Sequence, residues 1–262
     1  MTFKYPISTA TAVGLRDYQE DRYFTATMEE GTLVGVFDGH GGGEASAACE
    51  DQFPECFVDA IGEPGTDPAA AIRKAFADMA ARTAEFASGT TATIAYFPWN
   101  KSGSTWTVDT VWVAVLGDSP AIVKDAEGAV GVGPEHNVRS NYLERDAAIQ
   151  RGGTYDGGYL FDYTGPHGMY GQGLQMARAL GDRELARVLS REPEIYSRSL
   201  GPGSYVLVAT DGVLDPSHHK PAETAAAVVS LIEGGADAQR IVDAAVLAKT
   251  GDNATAILAR FE

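Results

Sequence analysis

The sequence predicts an α+β fold: two antiparallel sheets packed face to face with helices outside, a four-layer α-β-β-α sandwich. Two observations predict it. Short runs rich in Val, Thr, Ile, Tyr and Phe follow one another across brief Gly-, Asp- and Pro-containing turns, the spacing of antiparallel meanders. Between them lie blocks with one apolar face at helical spacing, and such a face needs a sheet to cover. With 262 residues, 44% of them apolar, the chain is long enough for one large domain with a core or for two small ones, and a single domain over 1–262 is the expectation.

The strand-like runs are 7–15, 22–28, 32–37, 90–97, 105–116, 120–124, 204–209 and 254–261. Helices are expected at 43–60, interrupted at Pro54, and at 67–87, 139–151, 221–233 and 237–249. The second opens with Asp67 as N-cap and Pro68 at the first helical position, and Gly89 lies just past its end. Residues 152–175, GGTYDGGYLFDYTGPHGMYGQGLQ, hold glycines and aromatics without a sustained period and read as a long surface loop, either functional or a floppy insertion.

Composition narrows the partners. Thirty-six acidic residues against 20 basic ones give a net charge of −16, which argues against nucleic acid and anionic membrane. The start lacks the apolar core of a signal peptide, and no run approaches a membrane span. Cys49 and Cys56 form no metal-type pair and read as reduced, buried thiols. A reducing, cytoplasmic setting is the expectation.

The chemistry sits at strand ends. LVGVFDGHGGG (33–43) runs apolar, stops at Asp38, and then gives up nearly every side chain around His40. Other apolar runs meet an aspartate beside a glycine at Asp118 and Asp211, and Asp252 precedes the last run. One such aspartate is usually a turn residue; four in one sandwich suggest a shared edge. If the first hairpin turns near Glu29 and Glu30, Asp21 lies opposite Asp38 and Glu20 opposite Gly39, which gathers three carboxylates at one end. Like charges that close raise one another's pKa and call for a cation. Oxygen-only ligands suit Mg²⁺ or Mn²⁺, and no His- or Cys-rich set would hold zinc. The glycines let the Gly39 carbonyl face a metal and a ligand approach. Arg16 invites a tetrahedral oxyanion, or makes a surface salt bridge to Asp17 or Glu20. His40 is placed to give a proton to a leaving group, or is a turn residue bonded to a carbonyl. Together they suggest phosphate ester hydrolysis.

RDYQED (16–21), FDGHGG (37–42), SGTTA (88–92), LGDS (116–119), ARALGD (177–182), ATDGVLD (209–215) and GDNATAIL (251–258) resemble, in order, the motifs of the metal-dependent protein serine/threonine phosphatases, the type 2C family. The resemblance implies a catalytic domain that hydrolyses phosphoserine and phosphothreonine in proteins through a hydroxide bridging two Mg²⁺ or Mn²⁺ ions, without a phosphoenzyme. It assigns Asp38, Asp211 and Asp252 to one ion, and Glu20, Asp38 and the Gly39 carbonyl to the other. Asp118, with Asp211, matches a weaker third site. Arg16 would grip the phosphate and His40 would be the general acid. Asp21 and Asn253 match motif positions as supporting residues. Residues 152–175 fall where the family carries its variable flap, which predicts a part in substrate choice.

The chain departs from the family at Pro120, where Arg is usual, at Gln19, where Asn is frequent, and at PEHN (134–137) in place of DHKP. Competing readings are a pseudophosphatase serving as a binding or scaffold module, and an acidic sandwich that holds Ca²⁺ or Mg²⁺ for stability alone. A DxDxT-type phosphohydrolase is disfavoured, because Gly-His-Gly follows Asp38.

Overall fold

The computed structural model describes residues 5–62, 65–102, 105–164, 171–214 and 221–262. Two five-stranded antiparallel sheets carry the fold. The first contains β1 (Ile7–Ala12), β6 (Ala121–Lys124), β7 (Val130–Val132), β9 (Tyr205–Ala209) and β10 (Ala254–Arg260), in the order β1-β10-β9-β6-β7. The second contains β2 (Arg22–Thr27), β3 (Gly31–Phe37), β4 (Ala92–Pro98), β5 (Thr110–Leu116) and β8 (Glu194–Ser199), in the order β8-β5-β4-β3-β2.

The period-2 alternation of the strands builds the layers. Val34, Val36, Val113 and Val115 meet Val206, Val208 and Ile257 between the sheets. Leu33, Phe37, Ile94 and Leu116 point the other way, onto α1 (Glu44–Ile61) and α2 (Pro68–Arg82). Leu207, Ala256 and Leu258 face α4 (Asp211–Leu214), α5 (Pro221–Glu233) and α6 (Ala238–Leu247). The four layers are those the sequence predicts.

Two helix expectations are corrected. α1 runs unbroken through Pro54. The missing N–H costs about 3 kcal/mol, but Phe53 and Phe57 on either side are fully buried, each contributing about 1.5–3 kcal/mol. α2 starts as expected, with the Asp67 side chain accepting from the Ala70 amide, but stops at Arg82. The Thr83 hydroxyl donates to the Met79 carbonyl at 2.8 Å and accepts from the Gly181 amide at 3.2 Å, so the chain turns away early. Gly89 is therefore no helix cap. It belongs to a three-stranded ribbon in which residues 89–90 pair with 39–40 and with 180–181.

The 152–175 segment is also more ordered than a loop. Residues 154–156 and 159–161 form a hairpin, and Leu160 exchanges backbone hydrogen bonds with Leu174 at 2.7 and 3.0 Å. Leu160 is fully buried among Val138, Ala148, Leu174 and Val188, a small core shared with α3 (Tyr142–Gln150). Residues 165–170 of this segment lie outside the described residues. Among the described residues, no helix is long and apolar enough to cross a membrane. Cys49 and Cys56 are unpaired thiols buried under the second sheet.

Candidate active site

The predicted hairpin register holds. Arg22 pairs with Phe37, and the turn closes from the Met28 amide to the Gly31 carbonyl at 2.9 Å. Continued outward, that register sets Asp21 opposite Asp38 and Glu20 opposite Gly39. A Cβ on Gly39 would sit 2.5 Å from the Glu20 carbonyl oxygen and 2.7 Å from Ser46 Oγ, so only glycine fits there.

Each strand delivers its carboxylate to the same end of the sandwich. Asp38 follows β3, and its carbonyl accepts from the Thr91 amide at 2.9 Å and the Thr90 hydroxyl at 3.0 Å, which fixes it to the start of β4. Asp118 follows β5, Asp211 opens α4 just after β9, and Asp252 precedes β10. Asn253 ties in the 13–20 segment: its Oδ1 accepts from the Glu20 amide at 2.8 Å, and its Nδ2 donates to the Val13 and Tyr18 carbonyls at 2.9 Å.

The electrostatics are those of an acidic cluster out of water. Burial, and then the neighbouring carboxylates, hold Asp38 and Asp211 well above the usual carboxylate range. Burial also raises Asp118, although the Asn137 amide donates to its Oδ2 at 3.0 Å. Asp21 is pushed up to about 7 by burial, even though it accepts from the Thr210 hydroxyl at 2.9 Å. Asp118 Oδ1 and Asp21 Oδ1 are buried without a hydrogen-bond partner.

The donor set suits hard divalent cations: all oxygen, strongly acidic, with a buried Asp118 oxygen left unsatisfied and a glycine-cleared cradle at Gly39. Among the described residues, no three of these side chains close on one point as a metal site. Their present contacts explain why. Glu20 Oε1 accepts from the Gly42 amide at 2.6 Å, Asp252 Oδ2 is held by Arg16 at 2.8 Å, and Asp38 Oδ2 accepts from the Ser119 hydroxyl at 3.4 Å. A cation entering the cluster competes with these contacts.

Glu20, Asp38, Gly39, Asp118, Asp211, Asp252, Arg16 and His40 all line one cleft of about 240 Å³. Tyr18, Tyr159, Leu174, Gln175 and Met176 complete its wall, so the 152–175 segment borders the carboxylates. Arg16 makes its salt bridge to Asp252 rather than to Asp17 or Glu20, and its Nε donates to the Gly251 carbonyl at 2.9 Å. His40 is bonded not to a carbonyl but to a carboxylate: its Nε2 lies 3.0 and 2.9 Å from the two oxygens of Asp182. Burial lowers the His40 pKa, but Asp182 and then Asp118 and Glu20 raise it further than burial lowers it.

Asp182 is the site residue that reading the sequence missed, although ARALGD contains it. His136 is excluded from the cleft. It is fully buried, and its Nδ1 lies 2.9 Å from the Gly117 carbonyl oxygen. Burial lowers its pKa, as expected of a neutral core imidazole.

Comparison with known proteins places the chain in a family. The model of the protein phosphatase 2C family matches residues 14–254. A probable protein phosphatase 2C 7 of Oryza sativa subsp. japonica is 27% identical, over 100% of this chain and 66% of its own length. A probable protein phosphatase 2C 59 of Arabidopsis thaliana is 27% identical, over 98% of this chain and 80% of its own. The chain thus spans about two thirds of the rice relative. The crystal structure of a serine-threonine phosphatase 2C from Toxoplasma gondii shares the fold with a TM-score of 0.76, at 17% identity over 100% of this chain and 96% of that one. The catalytic domain of the serine/threonine protein phosphatase PstP, solved in complex with two manganese ions, shares it with a TM-score of 0.61, at 20% identity over 98% and 97%. With the family match reaching from before Glu20 past Asp252, and the same sandwich seen in solved phosphatases, this chain belongs to the protein phosphatase 2C family.

Proposed function

We propose that residues 1–262 form one catalytic domain that hydrolyses phosphoserine and phosphothreonine esters in proteins, with 152–175 as a flap beside the site. The observation that carries this is the meeting of strand ends from both sheets in one cleft, where five carboxylates stand with Arg16 and His40. Asp38, Asp211 and Asp252 would hold one Mg²⁺ or Mn²⁺. Glu20, Asp38 and the Gly39 carbonyl would hold a second, and Asp118 with Asp211 a weaker third. Bound there, the ions neutralise the cluster and supply an activated water. The manganese in PstP supports this choice of metal.

The chain's own residues do the rest. The planar guanidinium of Arg16, at the cleft rim, matches two oxygens of a phosphate and orients it. His40 gives its proton to the serine or threonine oxygen as the P–O bond breaks. Water supplies the incoming oxygen, so the products are free hydroxyl and inorganic phosphate, with no phosphorylated side chain. Tyr159, Gln175 and Met176 meet residues flanking the phosphate.

The test is release of phosphate from a phosphothreonine peptide in Mn²⁺, in Mg²⁺ and in EDTA. Metal-dependent turnover supports the reading. A folded wild type inactive in every metal would move it to a pseudophosphatase. For the flap, Tyr159→Ala should shift kcat/KM among phosphopeptides of different flanking sequence by about 3- to 10-fold, the scale of about 0.7–1.4 kcal/mol of contact. An unchanged ranking would remove the flap from substrate choice.

A further inference from the structure

We infer that Asp182 is the positioning residue of His40: it holds the imidazole by Nε2 and so presents Nδ1 to the leaving oxygen of the substrate. This rests on the phosphatase reading above.

The contact is built into the backbone. His40 and Gly181 both pair with Gly89, from opposite sides, in the three-stranded ribbon. That brings together side chains 142 residues apart in the sequence. A Cβ on Gly89 would collide with both the Asp182 carboxylate and His40 Nε2, so the contact passes over the one residue without a side chain. Asp182 sits in the left-handed region, φ 50°, a conformation that Asp and Asn tolerate better than most residues. Its amide donates to the Ser88 carbonyl at 3.0 Å, and the Arg191 guanidinium donates to the carbonyls of Ala179 and Gly181. The segment is thus anchored on both sides of the carboxylate.

The partner is also chosen by exclusion. Asp182 is 6% exposed, and its ion pair among the described residues is with His40. Both carboxylate oxygens reach the same ring nitrogen, which sets the ring plane and leaves Nδ1 as the nitrogen for substrate. A latch that merely joined two loops would not need to end on a residue lining the cleft.

The experiment compares two substrates on the full chain in Mn²⁺. A phosphothreonine peptide loses an alkoxide, which needs a proton as it departs. p-Nitrophenyl phosphate loses a stabilised phenolate, which does not. Asp182→Asn keeps the size and tolerates the left-handed backbone. It should lower kcat for the peptide by about 10- to 100-fold, a share of the 10²–10⁴ that general acid catalysis contributes, with KM unchanged and aryl phosphate turnover within about threefold. His40→Ala should show the same split, and the double variant should be no worse than His40→Ala. Equal losses on both substrates, or additive losses in the double variant, would overturn the inference in favour of a structural latch. An active wild type with an unimpaired Asp182→Asn would overturn it outright, and a wild type inactive on both substrates would bring down the phosphatase reading and the inference with it. If Asp182→Asn does not fold, ¹⁵N-histidine NMR of the Mg²⁺-loaded wild type decides. A slowly exchanging proton on His40 Nε2 is expected, and a bare Nε2 with the proton on Nδ1 refutes the arrangement.

Discussion

Two buried acidic sites lie within one molecule and solve the same problem differently. Asp162, just past the 154–161 hairpin, is 4% exposed at its side chain. It meets the Arg187 guanidinium through Nε at 3.0 Å and Nη2 at 2.6 Å, and its Oδ1 accepts from Thr164. The Arg187 hydrogen bonds hold its carboxyl down, at about 2. Asp38, Asp118 and Asp211 instead face one another across the cleft, and are held above the usual range. The first site is neutralised by its own guanidinium. The second concentrates negative charge where folding alone would disperse it, which marks it as a place for something brought in from solution.

The largest effect should come from removing charge at the second site. Asp38→Asn or Asp211→Asn should lower phosphopeptide turnover by at least about 100-fold, since each deletes a donor from the proposed metal shell. In EDTA the same variants should melt higher than wild type, by about 1 kcal/mol or roughly 2–4 °C, because a buried like charge has gone. Added Mg²⁺ should raise the melting temperature of wild type and do little for the variants. Calorimetry with and without metal checks both halves. Variants that lose stability in EDTA would show the cluster to be a folding element instead.

The first site should respond the opposite way. Arg187→Gln strands the Asp162 carboxylate and should lower stability, by less than breaking a fully buried pair would, because Arg187 is 48% exposed. Since Leu160 lies two residues before Asp162, the loss should be read as faster hydrogen exchange at the Leu160 and Leu174 amides, with metal-dependent activity on a small aryl phosphate retained. Exchange unchanged from wild type would mean that the pair does not hold the flap.

How far the sequence discloses these two sites differs for physical reasons. The strand ends are legible because an apolar run meets an aspartate beside a glycine four times, three at its end and one at its start, and because a hairpin's register follows from its turn and its period of two. The same rule explains why Asp21 and Asp38 can be set opposite each other before any coordinates. The Asp182 contact is not legible, because it depends on Gly89 lying beneath a pairing of distant segments. Nor is the flap hairpin, whose three-residue strands are too short to show a period. The strands Val130–Val132 and Glu194–Ser199 escape as well: both lie at sheet edges, one only three residues long with a glycine at its centre and the other half polar, so neither reads as a strand-like run. Pro54 misleads for a different reason, since packing on both sides of it overrides the local preference.

The finest discrimination between the sites is the sign of their pH dependence. The unfolded chain releases protons from Asp near pH 4. Folded Asp162 takes up its proton only as pH falls to about 2, so its pair contributes stability fully above about pH 4 and loses it as pH falls toward 2. Asp21, beside the cleft, is the reverse. Folded, it keeps its proton up to about 7, so its contribution is complete below about pH 4 and fades as pH rises toward 7. In EDTA, wild type should therefore lose melting temperature between pH 5 and 7, and Asp21→Asn should lose less. The neighbouring Asp38, Asp118 and Asp211 act in the same direction, so the slope should shrink without vanishing. Asp162→Asn should leave that window unchanged and flatten only the acid side. A parallel fall of wild type and Asp21→Asn from pH 5 to 7 would show that Asp21 is ionised in its niche, with Thr210 compensating for the loss of water.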